Sequence, residues 1–155
     1  MALLSAFLVP IVYAAELVLL AMSLNLPVRQ AIATLLVAAI VVEEIAKSIG
    51  IAVLAKNHVV HRWTDVVGLS FVSAAGFLVT EKLLLLLSLS IVTESELSAV
   101  LFSSGMFLIP LFAHFLFTTV VCLLARHPRI RYPYALVAGS ILHVLYNLVV
   151  LGGLA

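Results

Sequence analysis

Long apolar runs broken by short polar punctuation set the pattern of this chain. A membrane-crossing helix needs about 20 mostly apolar residues, and the breaks in apolar density give five runs, at 3–24, 28–55, 66–92, 96–125 and 132–154. The breaks carry recognisable signals. "NLP" before Val28 ends one helix and opens the next, because proline is tolerated in a first turn. "TESE" at 93–96 matches a capping box in which Thr93 covers the backbone amide of Glu96. "RHPRIRYPY" joins a proline stop, basic residues and two tyrosines suited to a membrane–water interface. With no internal repeat, linker or low-complexity tract, residues 1–155 read as a single all-α membrane domain, a polytopic bundle of transmembrane helices.

Composition agrees with the pattern. Apolar residues make up 65 % of the chain and charged residues 10 %, whereas soluble domains run at about 45–50 % and 25 %. A net charge of +1 supplies no concentrated basic surface and argues against a nucleic-acid partner. The lone Cys122 cannot form an internal disulfide and is silent about compartment. The apolar start lacks the basic region of a signal peptide and reads as the first span. Lys56 and Arg62 fall between spans 2 and 3, and Arg126, Arg129 and Arg131 between spans 4 and 5. The loop between spans 3 and 4 carries only Glu94 and Glu96, and the junction of spans 1 and 2 a single Arg29. The positive-inside rule then predicts a cytoplasmic N-terminus and cytoplasmic basic loops.

Against this background the mid-span polar residues stand out. Glu43, Glu44 and Lys47 interrupt span 2, Glu81 lies in span 3, His114 in span 4, and His143 with Asn147 in span 5. Counted from the basic ends, the acids and histidines fall within roughly 6 Å of depth at 1.5 Å per residue. An ionised side chain facing lipid at mid-bilayer costs about 2.5–3.5 kcal/mol or more. These groups are therefore expected to face inward, where they are paired, protonated, metal-bound or wetted. Glu43 and Lys47, His114 and Thr118, and His143 and Asn147 are each one turn apart, so each pair shares a helix face. Small residues from Gly68 to Gly76 allow close helix approach.

Other polar positions read as structural. Glu16 and Lys82 show no pattern of their own, and Thr118 is expected to bond its own helix backbone. His58 and His61 in "KNHVVHRW" are expected to form an interfacial loop, not a metal pair. The residues alone leave open a hydrolytic centre, a metal site, an ion or proton path, and structural polar contacts.

Four strings resemble a known family. "EEIAK" at 43–47 resembles the EExxK motif of the PrsW intramembrane proteases, "FLVTE" at 77–81 their FxxxE, "HFLFT" at 114–118 their histidine-bearing third motif, and "HVLYN" at 143–147 their terminal HxxxN. That family sits with the CAAX-type prenyl endopeptidases and bacteriocin-processing membrane proteins. The resemblance covers spans 2 to 5. Lys82 departs from it, standing where relatives commonly carry a small polar residue, and many relatives have additional helices.

The resemblance implies an intramembrane endopeptidase of a prokaryotic cell membrane, acting on a membrane-protein or lipidated peptide substrate. Its site would comprise Glu43, Glu44, Glu81, His114 and His143, supported by Lys47 and Asn147. Glu43 or Glu44 would activate water, with Glu43 favoured and Lys47 orienting the other acid. His143 and Asn147 would donate to the oxyanion. A zinc alternative uses Glu81, His114 and His143 as ligands and keeps a glutamate as base. The alternative classes are a non-proteolytic scaffold subunit, similar to the Aph-type subunit of gamma-secretase, and an ion or proton transporter.

Overall fold

The computed structural model describes residues 7–15, 18, 28–90 and 104–152. Among these the chain is helical apart from short loops: α1 over 7–15, α2 Val28–Lys56, α3 Trp63–Ser90, α4 Ser104–Arg126 and α5 Tyr132–Gly152. Four of these match predicted runs, with α3 starting at Trp63 where Val66 was expected. Most of the first run, the "TESE" capping box and residues 96–103 of the fourth run lie outside the described residues.

Segments Trp63–Leu84, Phe107–Arg126 and Tyr132–Val150 are each long and apolar enough to cross a membrane. α2 has 29 residues, or about 43 Å of helix, but Glu43, Glu44 and Lys47 interrupt its apolar run. The bundle is apolar outside and polar inside. Ile109, Phe112 and Leu116 on α4, and Ile141, Leu145 and Val149 on α5, form exposed stripes at helical spacing, whereas Glu44, Lys47, Ser48, Ser73, His114 and His143 are buried. Soluble proteins show the opposite preference for charged residues. A lipid solvent explains the inversion, because apolar side chains lose nothing by facing hydrocarbon. The protein is thus an integral membrane helix bundle.

The two basic loops close one end of the bundle. α2 stops in a Schellman motif, with Val59 N–H reaching the Leu54 carbonyl at 3.0 Å and His58 N–H the Ala55 carbonyl at 3.3 Å. His58 takes the left-handed conformation this cap requires, with φ of 56°. That local job accounts for His58, and the carbonyl of His61 accepts from the Arg126 guanidinium at the end of α4. The α2–α3 and α4–α5 connections are therefore tied together on the same side.

Three small apolar clusters hold the helices in register. Val9 and Val12 of α1 pack with Ala46 and Phe77, Ile51 and Ala55 pack with Val66 and Cys122, and Ala52 packs with Val121, Ala125 and Ala135. Gly139 lets α5 press against α4. A Cβ there would collide with the Val121 side chain and lie 3.3 Å from the Phe117 carbonyl oxygen. This close approach sits one turn before His143.

Candidate active site

α2 supplies the hub of the polar interior, through side chains on neighbouring faces of one helical stretch. Glu44 and Lys47 are fully buried and paired at 2.6 Å between Glu44 Oε1 and Lys47 Nζ. The same Glu44 oxygen accepts from His143 Nδ1 at 2.9 Å, which joins α2 to α5. Lys47 Nζ also donates to His114 Nδ1 at 2.8 Å, joining α2 to α4. Ser73 of α3 donates to the Lys47 carbonyl at 2.7 Å. Ser48 donates back to the Glu44 carbonyl at 2.5 Å and meets the Tyr132 hydroxyl at 2.9 Å. Every neighbouring long helix is thus bonded to residues 44–48.

The bonding pattern fixes the ring hydrogens. Glu44 Oε1 already receives the Lys47 ammonium and acts as an acceptor, so His143 carries a hydrogen on Nδ1, and in the neutral ring Nε2 is the acceptor. An ammonium has no acceptor capacity, so His114 Nδ1 accepts and its Nε2 carries the hydrogen. The two imidazoles stand edge to face with centroids 5.1 Å apart, and they offer opposite functions at Nε2. Aromatic contacts steady them: Phe117 stacks on His143 at 5.0 Å, and Phe77 lies 6.2 Å from His114 with the Lys47 ammonium 5.1 Å above its ring.

Both rings border a cavity of about 200 Å³ whose lining also includes Glu43, Glu81, Lys82, Tyr146 and Asn147. Glu43 is on the cavity side of α2, its side chain 19 % exposed and 3.7 Å from Lys47. Adjacent residues point about 100° apart on a helix, which explains why Glu44 is locked in the interior while Glu43 reaches the cavity. Glu81 Oε2 lies 4.0 Å from His114 Nε2. Pro110 lines the cavity one turn before His114, inside α4. A proline there removes one intrahelical bond.

All seven residues singled out from the sequence are accounted for. Glu43, Glu81, His114, His143 and Asn147 border the cavity, while Glu44 and Lys47 lie behind it and hold the histidines. The carboxylate grouped with the two histidines is that of Glu43, not Glu81: ligand atoms of Glu43, His114 and His143 lie within 4.8 Å of one another. Thr118 departs from expectation, because its buried hydroxyl has no hydrogen-bond partner among the described residues. Lys82, read from the sequence as structural, lines the cavity. Phe117, Ser73 and Tyr146 carried no signal beyond being apolar, small or aromatic in a span.

A cavity rimmed by acids and histidines, within a helical membrane bundle, is an arrangement that suits hydrolysis inside a membrane. A model of the PrsW family of intramembrane metalloproteases matches residues 1–154, and the chain belongs to that family. It is accordingly a membrane peptidase. No curated protein and no solved structure matched the chain.

Proposed function

We propose that the chain hydrolyses a peptide bond of a membrane-embedded or lipidated substrate, with Glu43 as the residue that takes the proton from the attacking water. The observation that supports this best is the division between two adjacent glutamates. Glu44 is held by Lys47 and His143, whereas Glu43 lines the cavity beside both imidazoles.

In this reading a water between Glu43 and His143 Nε2 loses its proton to Glu43 as its oxygen bonds to the substrate carbonyl carbon. The carbonyl oxygen gains the negative charge and receives hydrogen bonds from His114 Nε2–H and the Asn147 amide. Such donors are worth roughly 3–4 kcal/mol in the transition state. Collapse of the tetrahedral species breaks the C–N bond, and the proton held by Glu43 passes to the leaving nitrogen. The donor role falls to His114 because the hydrogen of His143 is directed at Glu44.

The family's description as metalloproteases implies a metal, and the donor set fits one. Glu43, His114 and His143 would hold a divalent ion such as zinc, two imidazoles and a carboxylate being a familiar catalytic set. Bound there, it would supply Lewis-acid polarisation of the carbonyl and a more acidic water. Holding it through His114 Nε2 requires Lys47 to release Nδ1, and Glu81 then becomes the cavity acid left to move the proton.

Turnover and metal content of Glu43→Gln and Glu81→Gln test both versions. Glu43→Gln is expected to abolish cleavage. Unchanged metal content in that variant identifies Glu43 as the base, and lost metal identifies it as a ligand. Retained turnover in both Glu43→Gln and Glu44→Gln would sink the assignment. The basic loops and the positive-inside rule support a cut in or beneath the cytoplasmic half of a prokaryotic cell membrane.

A further inference from the structure

Two lysines lie in the bundle interior and the fold treats them differently. Lys47 is locked at 2.6 Å to Glu44 and 2.8 Å to His114. Lys82 is only 8 % exposed and lines the catalytic cavity. Among the described residues no carboxylate comes within 4.0 Å of its ammonium, Glu81 included. Lys82 follows Glu81 directly in α3 and shares the cavity lining with Glu81 and His114. A buried ammonium with no carboxylate against it among the described residues is costly in protein and in lipid alike. A cation so placed beside a reaction cavity is suited to take an anion that arrives with the ligand.

The cavity limits what that anion can be. At about 200 Å³ it is smaller than the 300–1,000 Å³ of pockets that enclose a whole drug-sized ligand. Lys82 shares its lining with Glu43, His114 and His143. An anion bound there lies beside the reacting groups, and so belongs to the substrate close to the scissile bond. We propose that Lys82 is a specificity residue whose ammonium binds a substrate carboxylate next to the cut, either an Asp or Glu side chain or a free C-terminus. The idea rests on the protease reading above. Leu78, one turn before Lys82 and also in the lining, supplies an apolar surface for the rest of that residue.

The test uses the full-length protein in nanodiscs and a pool of model transmembrane peptides. Each peptide carries Glu, Gln or Lys at one position along the span in turn, with a free or an amidated C-terminus, and cut sites are read by mass spectrometry. The wild type is expected to favour Glu over Gln beside the cut by about tenfold or more, as a charge-assisted bond gives. Loss of cutting on amidation alone would instead assign the C-terminal carboxylate as the source. The preference should fall to about one in Lys82→Met and return in Lys82→Arg. Thermal unfolding of both variants checks that the fold is kept.

Equal cutting of Glu and Gln peptides by the wild type, or a preference that survives Lys82→Met, overturns the proposal. A Lys82-dependent change with the anionic-lipid content of the nanodisc, and none with peptide charge, assigns the ammonium to a lipid phosphate and also overturns it. Binding of the same peptides to Glu43→Gln, followed by fluorescence anisotropy, separates the two ideas. A Lys82-dependent binding preference there supports the carboxylate site even if cleavage fails, and its absence refutes it.

Discussion

Glu44 Oε1 lies 2.9 Å from His143 Nδ1 while also taking the Lys47 ammonium at 2.6 Å. A single oxygen thus couples the middle of α2 to the middle of α5 and decides which nitrogen of His143 faces the cavity. The two glutamates should separate in mutagenesis. Glu43→Gln should cost at least 100-fold to 10,000-fold in turnover, on the order of a general acid–base contribution, with thermal stability near that of the wild type. Glu44→Gln should cost roughly 10–100-fold, as an orienting carboxylate does, and should lower the unfolding temperature. Turnover and thermal unfolding of the two variants in the same detergent check this ordering.

Lys47→Met leaves the Glu44 carboxylate buried beside an apolar side chain. Stripping one member from a buried pair typically costs about 3–5 kcal/mol, whereas an average interhelical hydrogen bond in a membrane is worth about 0.6 kcal/mol. Lys47→Met should therefore destabilise far more than Ser73→Ala. The double variant Glu44→Leu with Lys47→Met should recover much of the stability and none of the activity. Equilibrium unfolding of the four proteins provides the measurement.

The hydrogen on His114 can be observed directly. Nitrogen-15 NMR of histidine-labelled, metal-free protein should show His114 as the Nε2–H tautomer and His143 as the Nδ1–H tautomer. Addition of zinc should remove the Nε2 hydrogen of His114 if that nitrogen ligates. Finding His114 protonated at Nδ1 before any metal is added would mean that Lys47 is not its donor.

Gly139→Ala should impair activity through geometry alone. The added methyl meets the Val121 side chain and the Phe117 carbonyl, so the Val121 side chain or α5 itself must shift one turn before His143. Overpacking of this kind costs about 1–3 kcal/mol, while a misplacement near 1 Å can cost on the order of 100-fold in rate. Activity should thus fall by more than the stability change explains, and Val121→Ala in the same chain should restore part of it. Initial rates at a temperature where both variants are fully folded decide the matter.

The helices were legible because lipid imposes a simple requirement, which segments such as Phe107–Arg126 and Tyr132–Val150 satisfy, while α2 was legible from its length and its opening signal despite the charges that interrupt it. The polar residues were legible for the same reason, since only a purpose keeps Glu43 or His143 out of water. Helix rotation was not. Glu43 and Glu44 are neighbours in sequence, and only the packing of α4 and α5 decides which of them faces the cavity. For the same reason the sequence held no sign that Lys82 lines the cavity, or that the carboxylate grouped with the two histidines is that of Glu43. Thr118 was expected to satisfy itself within its own helix, and nothing in its spacing hinted that its hydroxyl finds no bond among the described residues.

The hub on α2 also bears on how the protein is made. Lys47 finds His114 at a separation of 67 residues, and Glu44 finds His143 at a separation of 99. When α2 leaves the ribosome neither histidine has been synthesised. Its Glu44–Lys47 pair can close within the helix, but Lys47 lacks His114 until α4 has been made, and Glu44 lacks His143 until α5 has been made. α2 is then a poor stand-alone insertion unit, because its polar side chains are costly in lipid until their partners arrive. A chain truncated before His143 is therefore expected to hold its second helix in the membrane less firmly than the full chain does.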